Sequence, residues 1–358
     1  MTLAILCSGQ GSQHAGMFAL TGSSHAAEDL FSHAATLLHE DPRRWVTSAG
    51  EKALHANRSA QLLCTLQALC AAAALEDIFP QERCIAGYSV GEVAAWSLAG
   101  LIKPQDALDL TAARADAMDA ARQGEQAMLF VRGLSRAIVD RLLAHRAAAV
   151  AIVNPGEAYV LAGSVSALQA VAADAQRVGR SRVVPVAVQV ASHTPLMAEA
   201  TAMFRERLSC LHVAPTPHRG TRLLSSIDGT PVLSTLQSID KLAAQISQTV
   251  QWATCLEACV EAGAAAFLEL GPGRALAEMA ASAYPAIPAR SIDDFKSIDG
   301  VRAWLTRLAR LERRGIDFSS DRPDQRPSAA LHSDLGSGSI ANGSANRGRS
   351  SGKGNSAS

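Results

Sequence analysis

A single serine stands between two glycines at Gly87-Tyr88-Ser89-Val90-Gly91, directly after the apolar run "RCIAG" and before the helix-like run "VGEVAAWSLAGLI". A G-x-S-x-G pattern in that setting marks a sharp strand-to-helix turn. The glycines are needed because side chains two positions to either side of the serine would collide, and the turn exposes the hydroxyl. The same turn sets Ser89 at a helix N-terminus, where the N–H of Val90 can face a developing oxyanion. A packing turn without chemistry fits the pattern too, so the reading depends on finding a base. Of the ten histidines, His25, His33, His39 and His55 fall in polar, helix-like stretches. His193 differs: "VVPVAVQVASHTPLM" reads as a long strand with the histidine at its mouth, although a structural histidine would also suit that place.

A third group is cationic. In "PQDALDLTAARADAMDAAR", Asp106, Asp109, Asp116 and Asp119 form an acidic face. Leu110, Arg114 and Met118, each four residues from the last, form the opposite stripe. An arginine in an apolar stripe is costly unless it is paired. It is either half of a buried ion pair or a guanidinium that receives a substrate carboxylate, which its planar fork fits bidentately.

These groups must be held by strands and helices, and the pattern supplies them. "LAILCSGQ" reads as a first strand, "SAQLLCTLQALCAAAALEDIF" as a helix apolar all round and therefore buried, and "AAAFLELGPG" as a strand with a glycine turn before helix "RALAEMAASA". Strand-turn-helix units of this kind imply a mostly parallel sheet covered on both faces. Between about 126 and 190 the order changes to strand, helix, strand, strand, helix, strand, which is the ferredoxin-like βαββαβ pattern. The expected fold is α/β. A hydrolase-like core over 1–124 and 193–318 carries an inserted ferredoxin-like subdomain over 125–192. Residues 319–358, rich in Ser, Gly, Asn and Arg, are expected to be disordered.

Composition narrows the function. With 33 basic and 33 acidic residues, formal net charge is zero. No basic stripe with interleaved aromatics is present, so nucleic acid is not an expected partner. No apolar run reaches the ~18 residues of a membrane span, and the N-terminus lacks a basic leader, so a cytoplasmic protein is expected. The seven cysteines include no CxxC pair. Cys255 and Cys259 lie one helical turn apart without a third ligand, which points to packing and away from a metal site. No metal or other cofactor is expected.

Over roughly residues 3 to 285 the chain resembles the malonyl-CoA:acyl carrier protein transacylase family. The segments that carry the resemblance are "SGQGSQHAGMF", "GYSVGE", "RADAM", "ASHTPLM", "VQWATCLEACVEAG" and "FLELGPGRALAEM", in the family's order and spacing. The resemblance implies Ser89 as nucleophile, His193 as base, and an oxyanion hole from the backbone N–H groups of Gln10 and Val90. It further implies that the backbone carbonyl of Gln251 orients the imidazole, so that the constellation is a dyad with a main-chain orienter. Arg114 falls at the place of the arginine that holds the malonyl carboxylate, and Gln61 and Asn154 are further pocket candidates. Malonyl-CoA and an acyl carrier protein or carrier subunit are the implied partners. Two departures stand out: Tyr88 where histidine is usual, and Ser8 where proline is usual.

"GYSVGEVAAW" and "ARSIDDFKSIDGVRAWL" look more like the epsilon subunit of malonate decarboxylase. The expected role is therefore loading malonyl onto that enzyme's carrier subunit, possible contacts with its other subunits included. The alternative is a fatty-acid or polyketide transacylase. A serine thioesterase or hydrolase is more remote, since no acidic residue takes a convincing triad position between Ser89 and His193.

Overall fold

The computed structural model describes residues 1–179 and 181–313; the expected tail over 319–358 and the end of the core segment lie outside them. Among the described residues there are ten strands: β1 Thr2–Cys7, β2 Arg83–Gly87, β3 Gln126–Arg132, β4 Ala148–Asn154, β5 Ala158–Ser164, β6 Arg182–Val186, β7 Thr221–Leu223, β8 Val250–Gln251, β9 Ala264–Glu269 and β10 Ala289–Ser291. They form two five-stranded sheets, ordered β10-β9-β1-β2-β7 and β6-β3-β5-β4-β8.

Every pairing in the first sheet is parallel. β1 explains why it must be covered on both faces. Leu3, Ile5 and Cys7 point into one apolar cluster with Leu63, Leu66, Trp96, Leu108 and Leu110. Ala4 and Leu6 point into another with Trp252, Cys255, Leu256 and Cys259, as the two-residue side-chain period of a strand demands. Helix Asn57–Leu75 has sixteen buried residues out of nineteen, in keeping with its all-round apolar sequence. Against the sequence expectation, the stretch Asn57–Ile78 is long and apolar enough to cross a bilayer. Its 89% burial within the protein accounts for that composition as core.

The second sheet is antiparallel through β6-β3-β5-β4, with helices Arg136–Leu143 and Val165–Val178 completing the βαββαβ order. Its one parallel pairing brings β8 alongside β4, with Val153 opposite Gln251. The small sheet thus recruits a strand from the segment assigned by sequence to the core. Met128, Ile152 and Val160 of the small sheet share an apolar cluster with Leu6 and Ala86 of the large one, and helix Trp252–Glu261 packs against strands of both sheets.

Candidate active site

The turn at Ser89 is as crowded as its glycines require. A Cβ on Gly87 would lie 2.2 Å from the backbone of Glu92, and one on Gly91 would lie 2.1 Å from the carbonyl oxygen of Cys7. Ser89 itself has φ of +56°, a left-handed conformation that costs a non-glycine residue about 1–3 kcal/mol and recurs at functional turns. The N–H groups of Gly91, Glu92 and Val93 return to the carbonyls of Tyr88, Ser89 and Val90, each at 3.0 Å. Val90, buried and helical at the N-cap of helix Gly91–Leu98, thereby stands one step ahead of the turn's internal bonds. The loop carrying Gln10 lies against the same turn. The Tyr88 N–H donates to the Cys7 carbonyl at 2.9 Å, and a Cβ on Gly9 would come within 3.4 Å of the Ser89 Cβ.

His193 meets the serine. Its Nε2 accepts from the Ser89 hydroxyl at 2.8 Å, across 104 residues of sequence. It is not at a strand mouth: β6 ends at Val186, and His193 sits in the loop beyond, with φ of +62°. Two backbone groups of one turn hold it. The His193 N–H donates to the Ile246 carbonyl at 2.7 Å, and the ring Nδ1 donates to the Gln245 carbonyl at 2.6 Å. That second bond fixes the tautomer in which Nε2 is free to accept a proton.

The orienting carbonyl is therefore Gln245, and the expectation for Gln251 is corrected. The reason is local. Gln245 is the C-cap of helix Thr235–Ala244, where carbonyls run out of intrahelical partners. Gln251 instead pairs with Val153 at the edge of the small sheet and lines a cavity beside His193. That cavity, of about 400 Å³, is bounded by His193, Pro195, Ile227, Thr249 and Gln251. A larger cavity of about 580 Å³, bounded by Arg222, Asp228, Thr254, Glu257 and Glu261, includes none of the residues singled out from the sequence.

Arg114 is only 1% exposed, on the buried stripe with Leu110 and Met118. Among the described residues no carboxylate lies within ion-pair distance of it. Its Nη1 donates to Gln61 Oε1 at 2.5 Å and its Nη2 to Gln245 Oε1 at 3.1 Å. Two neutral amides hold the cation, so of the two sequence readings the buried ion pair falls away. Burial lowers its pKa to about 10, opposed by the charge of Glu92. Gln61 is itself fixed by donating to Asn57 Oδ1 at 2.7 Å.

Burial, then the positive charge of Arg114, pushes His193 down to about 3, against the opposing effect of its bond to Gln245. The imidazole is thus neutral across the physiological range and competent to accept a proton. Asn154, 4% exposed, ends β4 beside Tyr88. Burial raises the Tyr88 phenol and the nearby Asn154 amide works against it, although neither end of that amide reaches hydrogen-bond geometry with any of the described residues. Tyr88 packs edge-on to Trp252 with ring centroids 5.3 Å apart.

The sequence pattern of the acyl transferase domain family matches residues 5–298. The chain belongs to that family. It is 31% identical over 302 residues to the malonyl CoA-acyl carrier protein transacylase of Mycobacterium tuberculosis, covering 83% of this chain and 98% of the relative. The transacylase of Haemophilus influenzae is 29% identical over 317 residues, covering 84% and 98%. Among solved structures, the acyl-carrier-protein S-malonyltransferase of Burkholderia pseudomallei superposes with a TM-score of 0.78 at 25% identity, covering 85% of this chain and 100% of that one. The malonyl-CoA:acyl carrier protein transacylase of Xanthomonas oryzae superposes at 0.77 and 26% identity, covering 86% and 99%. The protein is an acyltransferase with the fold of those enzymes.

Two residues of this acyltransferase site escaped the sequence reading. Gln245 donates from Nε2 to the Ser89 carbonyl at 2.8 Å and to Glu92 Oε2 at 2.7 Å. Glu92 is fully buried on the helix that Ser89 opens. Glu92 was visible inside "GYSVGE" as a charge three positions beyond the nucleophile. Gln245 carried no signal beyond closing an amphipathic helix.

Proposed function

We propose that the protein transfers malonyl from malonyl-CoA to the phosphopantetheine-type thiol of an acyl carrier protein. The observation that carries this is the meeting of a Ser89–His193 pair at 2.8 Å with a buried guanidinium that, among the described residues, is held by amide oxygens alone. A thioester that also bears a carboxylate suits both. The Ser89 oxygen attacks the thioester carbon while His193 Nε2 takes its proton, and the backbone N–H groups of Gln10 and Val90 receive the oxyanion. The carbon–sulfur bond breaks, the coenzyme A thiolate recovers the proton from His193, and malonyl-Ser89 remains. In the second half the carrier thiol gives its proton to His193 and attacks the ester carbon; the carbon–Oγ bond to Ser89 breaks, His193 returns the proton to the serine oxygen, and the malonyl thioester leaves on the carrier. Arg114, steadied by Gln61, binds the free carboxylate in both halves, and Asn154 binds the substrate's polar groups from the small-sheet side. The chain's own side chains suffice for every proton in this scheme.

The malonyl CoA-acyl carrier protein transacylases among the relatives favour the alternative, a carrier of the fatty-acid or polyketide type, over the malonate decarboxylase carrier expected from "ARSIDDFKSIDGVRAWL". Six of the seven cysteines are buried and all are free thiols, which supports work in a reducing, cytoplasmic setting. Intact mass after mixing with malonyl-CoA tests the reaction: a malonyl adduct on Ser89 supports transfer, while steady release of malonate with no adduct would replace it with hydrolysis. Parallel loading of a fatty-acid carrier and a decarboxylase carrier tests the acceptor, and faster loading of the latter would restore the decarboxylase role.

A further inference from the structure

We infer that Glu92 is a positioning residue for the Ser89–His193 pair and for Arg114, acting on both through Gln245. This rests on the function proposed above and extends it to a residue that touches no substrate. Gln245 sits where three requirements meet. Its main-chain carbonyl holds His193 Nδ1 at 2.6 Å, its Oε1 accepts from Arg114 at 3.1 Å, and its Nε2 faces the Ser89 carbonyl, Glu92 Oε2 and Ser226 Oγ at 2.8, 2.7 and 3.0 Å. An amide flipped end for end would turn its oxygen toward the Ser89 carbonyl and the Glu92 carboxyl, and its N–H groups toward the guanidinium. The orientation that serves Arg114 is therefore set by acceptors on the other side, and Glu92 is the strongest of them.

Glu92 is itself built to accept. Besides Gln245, the Ser226 hydroxyl donates to its Oε2 and the Ser226 N–H approaches its Oε1 at 3.4 Å. The Ser226 hydroxyl and Gln245 Nε2 converge on Oε2 and the Ser226 N–H faces Oε1, so a proton on either oxygen sets a new donor against a group that is already donating there and weakens that contact. Burial opposes ionisation, while Ser226, Gln245 and the charge of Arg114 favour it, leaving the group near neutrality at about 7. The other titratable groups around it are Arg114, from helix Pro104–Ala120, and Cys255, from helix Trp252–Glu261. Cys255 stays neutral because burial, aided by Glu92's charge, raises it well above 9. His193 shares Gln245 with Glu92 and is pushed down to about 3 by burial and the charge of Arg114; the Glu92 and Ser226 variants, which leave the imidazole in place, separate a step at Glu92 from one at His193.

The test follows the pH dependence of Ser89 acylation by two reagents, malonyl-CoA and phenylmethylsulfonyl fluoride; the second needs no carboxylate site. The expected wild-type result is a rate that rises with pH through a midpoint near 7 with both. Glu92→Gln, which keeps the shape and removes the charge, should lose that step and run about 10- to 100-fold slower at pH 8. Ser226→Ala, which removes one donor to the carboxylate, should move the midpoint about one unit upward. Because Ser226→Ala is the milder change, it decides the matter should Glu92→Gln fail to fold. A flat wild-type profile between pH 6 and 8, a midpoint unmoved by Ser226→Ala, or a folded Glu92→Gln with wild-type rates would each overturn the inference. Ser89 sulfonylation showing the step while malonyl-CoA leaves no adduct would sink the malonyl reading and leave the positioning of the dyad standing.

Discussion

Two unlike walls meet at Ser89. On the large-sheet side the buried polar groups that bear on the reaction are partnered: Ser89 with His193, His193 with Gln245, Gln245 with Arg114, Glu92 and Ser226, and Arg114 with Gln61. On the small-sheet side, among the described residues, the buried Asn154 amide has a hydrogen-bond partner at neither end, and the neighbouring Trp252 indole N–H has none either. A buried polar group without a hydrogen bond costs about 1–3 kcal/mol. The first wall is organised before any substrate arrives, which is what transition-state stabilisation requires. The second carries that cost on an amide and an indole N–H with no partner among the described residues. The difference predicts where a substitution lowers kcat and where it only raises KM.

The largest effects should come from the organised wall. Ser89→Ala should leave no malonyl adduct by intact mass and reduce transfer by about 10⁴-fold or more, the scale seen when a serine nucleophile is lost. His193→Ala should come close to it, since the two act as a unit. A loss under tenfold in either would mean that the 2.8 Å contact is not the catalytic one.

Arg114 comes next, because it decides between acyl groups. Arg114→Ala should lower malonyl transfer about 10²- to 10³-fold, the equivalent of two charge-assisted hydrogen bonds, while acetyl transfer survives or improves. Comparing kcat/KM for malonyl-CoA and acetyl-CoA checks it. Equal loss with both would make the arginine a structural cation and the amides of Gln61 and Gln245 merely its packing.

Much of this arrangement could be read before any coordinates existed, and what could not be has a physical explanation. The elbow was legible because steric crowding at Gly87 and Gly91 leaves a sequence trace. Arg114 was legible because a charge in an apolar stripe breaks a pattern. The two sheets followed from the switch between strand-helix alternation and βαββαβ. The orienting carbonyl was not legible, since a main-chain group carries no residue identity. The candidate Gln251 and the observed Gln245 lie one short segment apart, and only the end of helix Thr235–Ala244 selects between them. The end of β6 before His193 was missed for a related reason: "VVPVAVQV" keeps its apolar character after the ladder to β3 stops at Val186.

A second buried carboxyl extends the organised wall and can be followed through stability. Glu269 is fully buried, takes the Ser8 hydroxyl at 2.6 Å and accepts the Ala277 N–H at 2.8 Å. It thereby ties the loop that carries Gln10 to the start of helix Ala275–Ala283. Burial pushes its pKa from 4.5 to about 8 despite those donors. Between those values the folded chain keeps a proton that the unfolded chain releases, so this group's contribution to stability is full below about 4.5 and is lost as pH rises toward 8. Glu269→Gln cannot show that loss. Its Tm relative to wild type should therefore climb between pH 5 and 8.5, at about 2–4 °C for each kcal/mol in a larger domain. A pH-independent difference would place the carboxyl outside the apolar interior.

The smallest effects should come from the other wall. Asn154→Ala removes an amide that has no hydrogen-bond partner among the described residues, so it removes a cost as well as a contact. The apoprotein should become no less stable, or slightly more so, and KM for malonyl-CoA should rise about threefold to tenfold with kcat nearly unchanged. That is the signature of binding that is equal in ground and transition states. Tyr88→Phe keeps the edge-on packing against Trp252 and deletes only the hydroxyl, so its effect should be smaller still. Thermal melts and steady-state kinetics on the two variants check this directly. A drop in kcat for Asn154→Ala as deep as its rise in KM would erase the distinction between the walls, because the small sheet would then be stabilising the transition state alongside the large one.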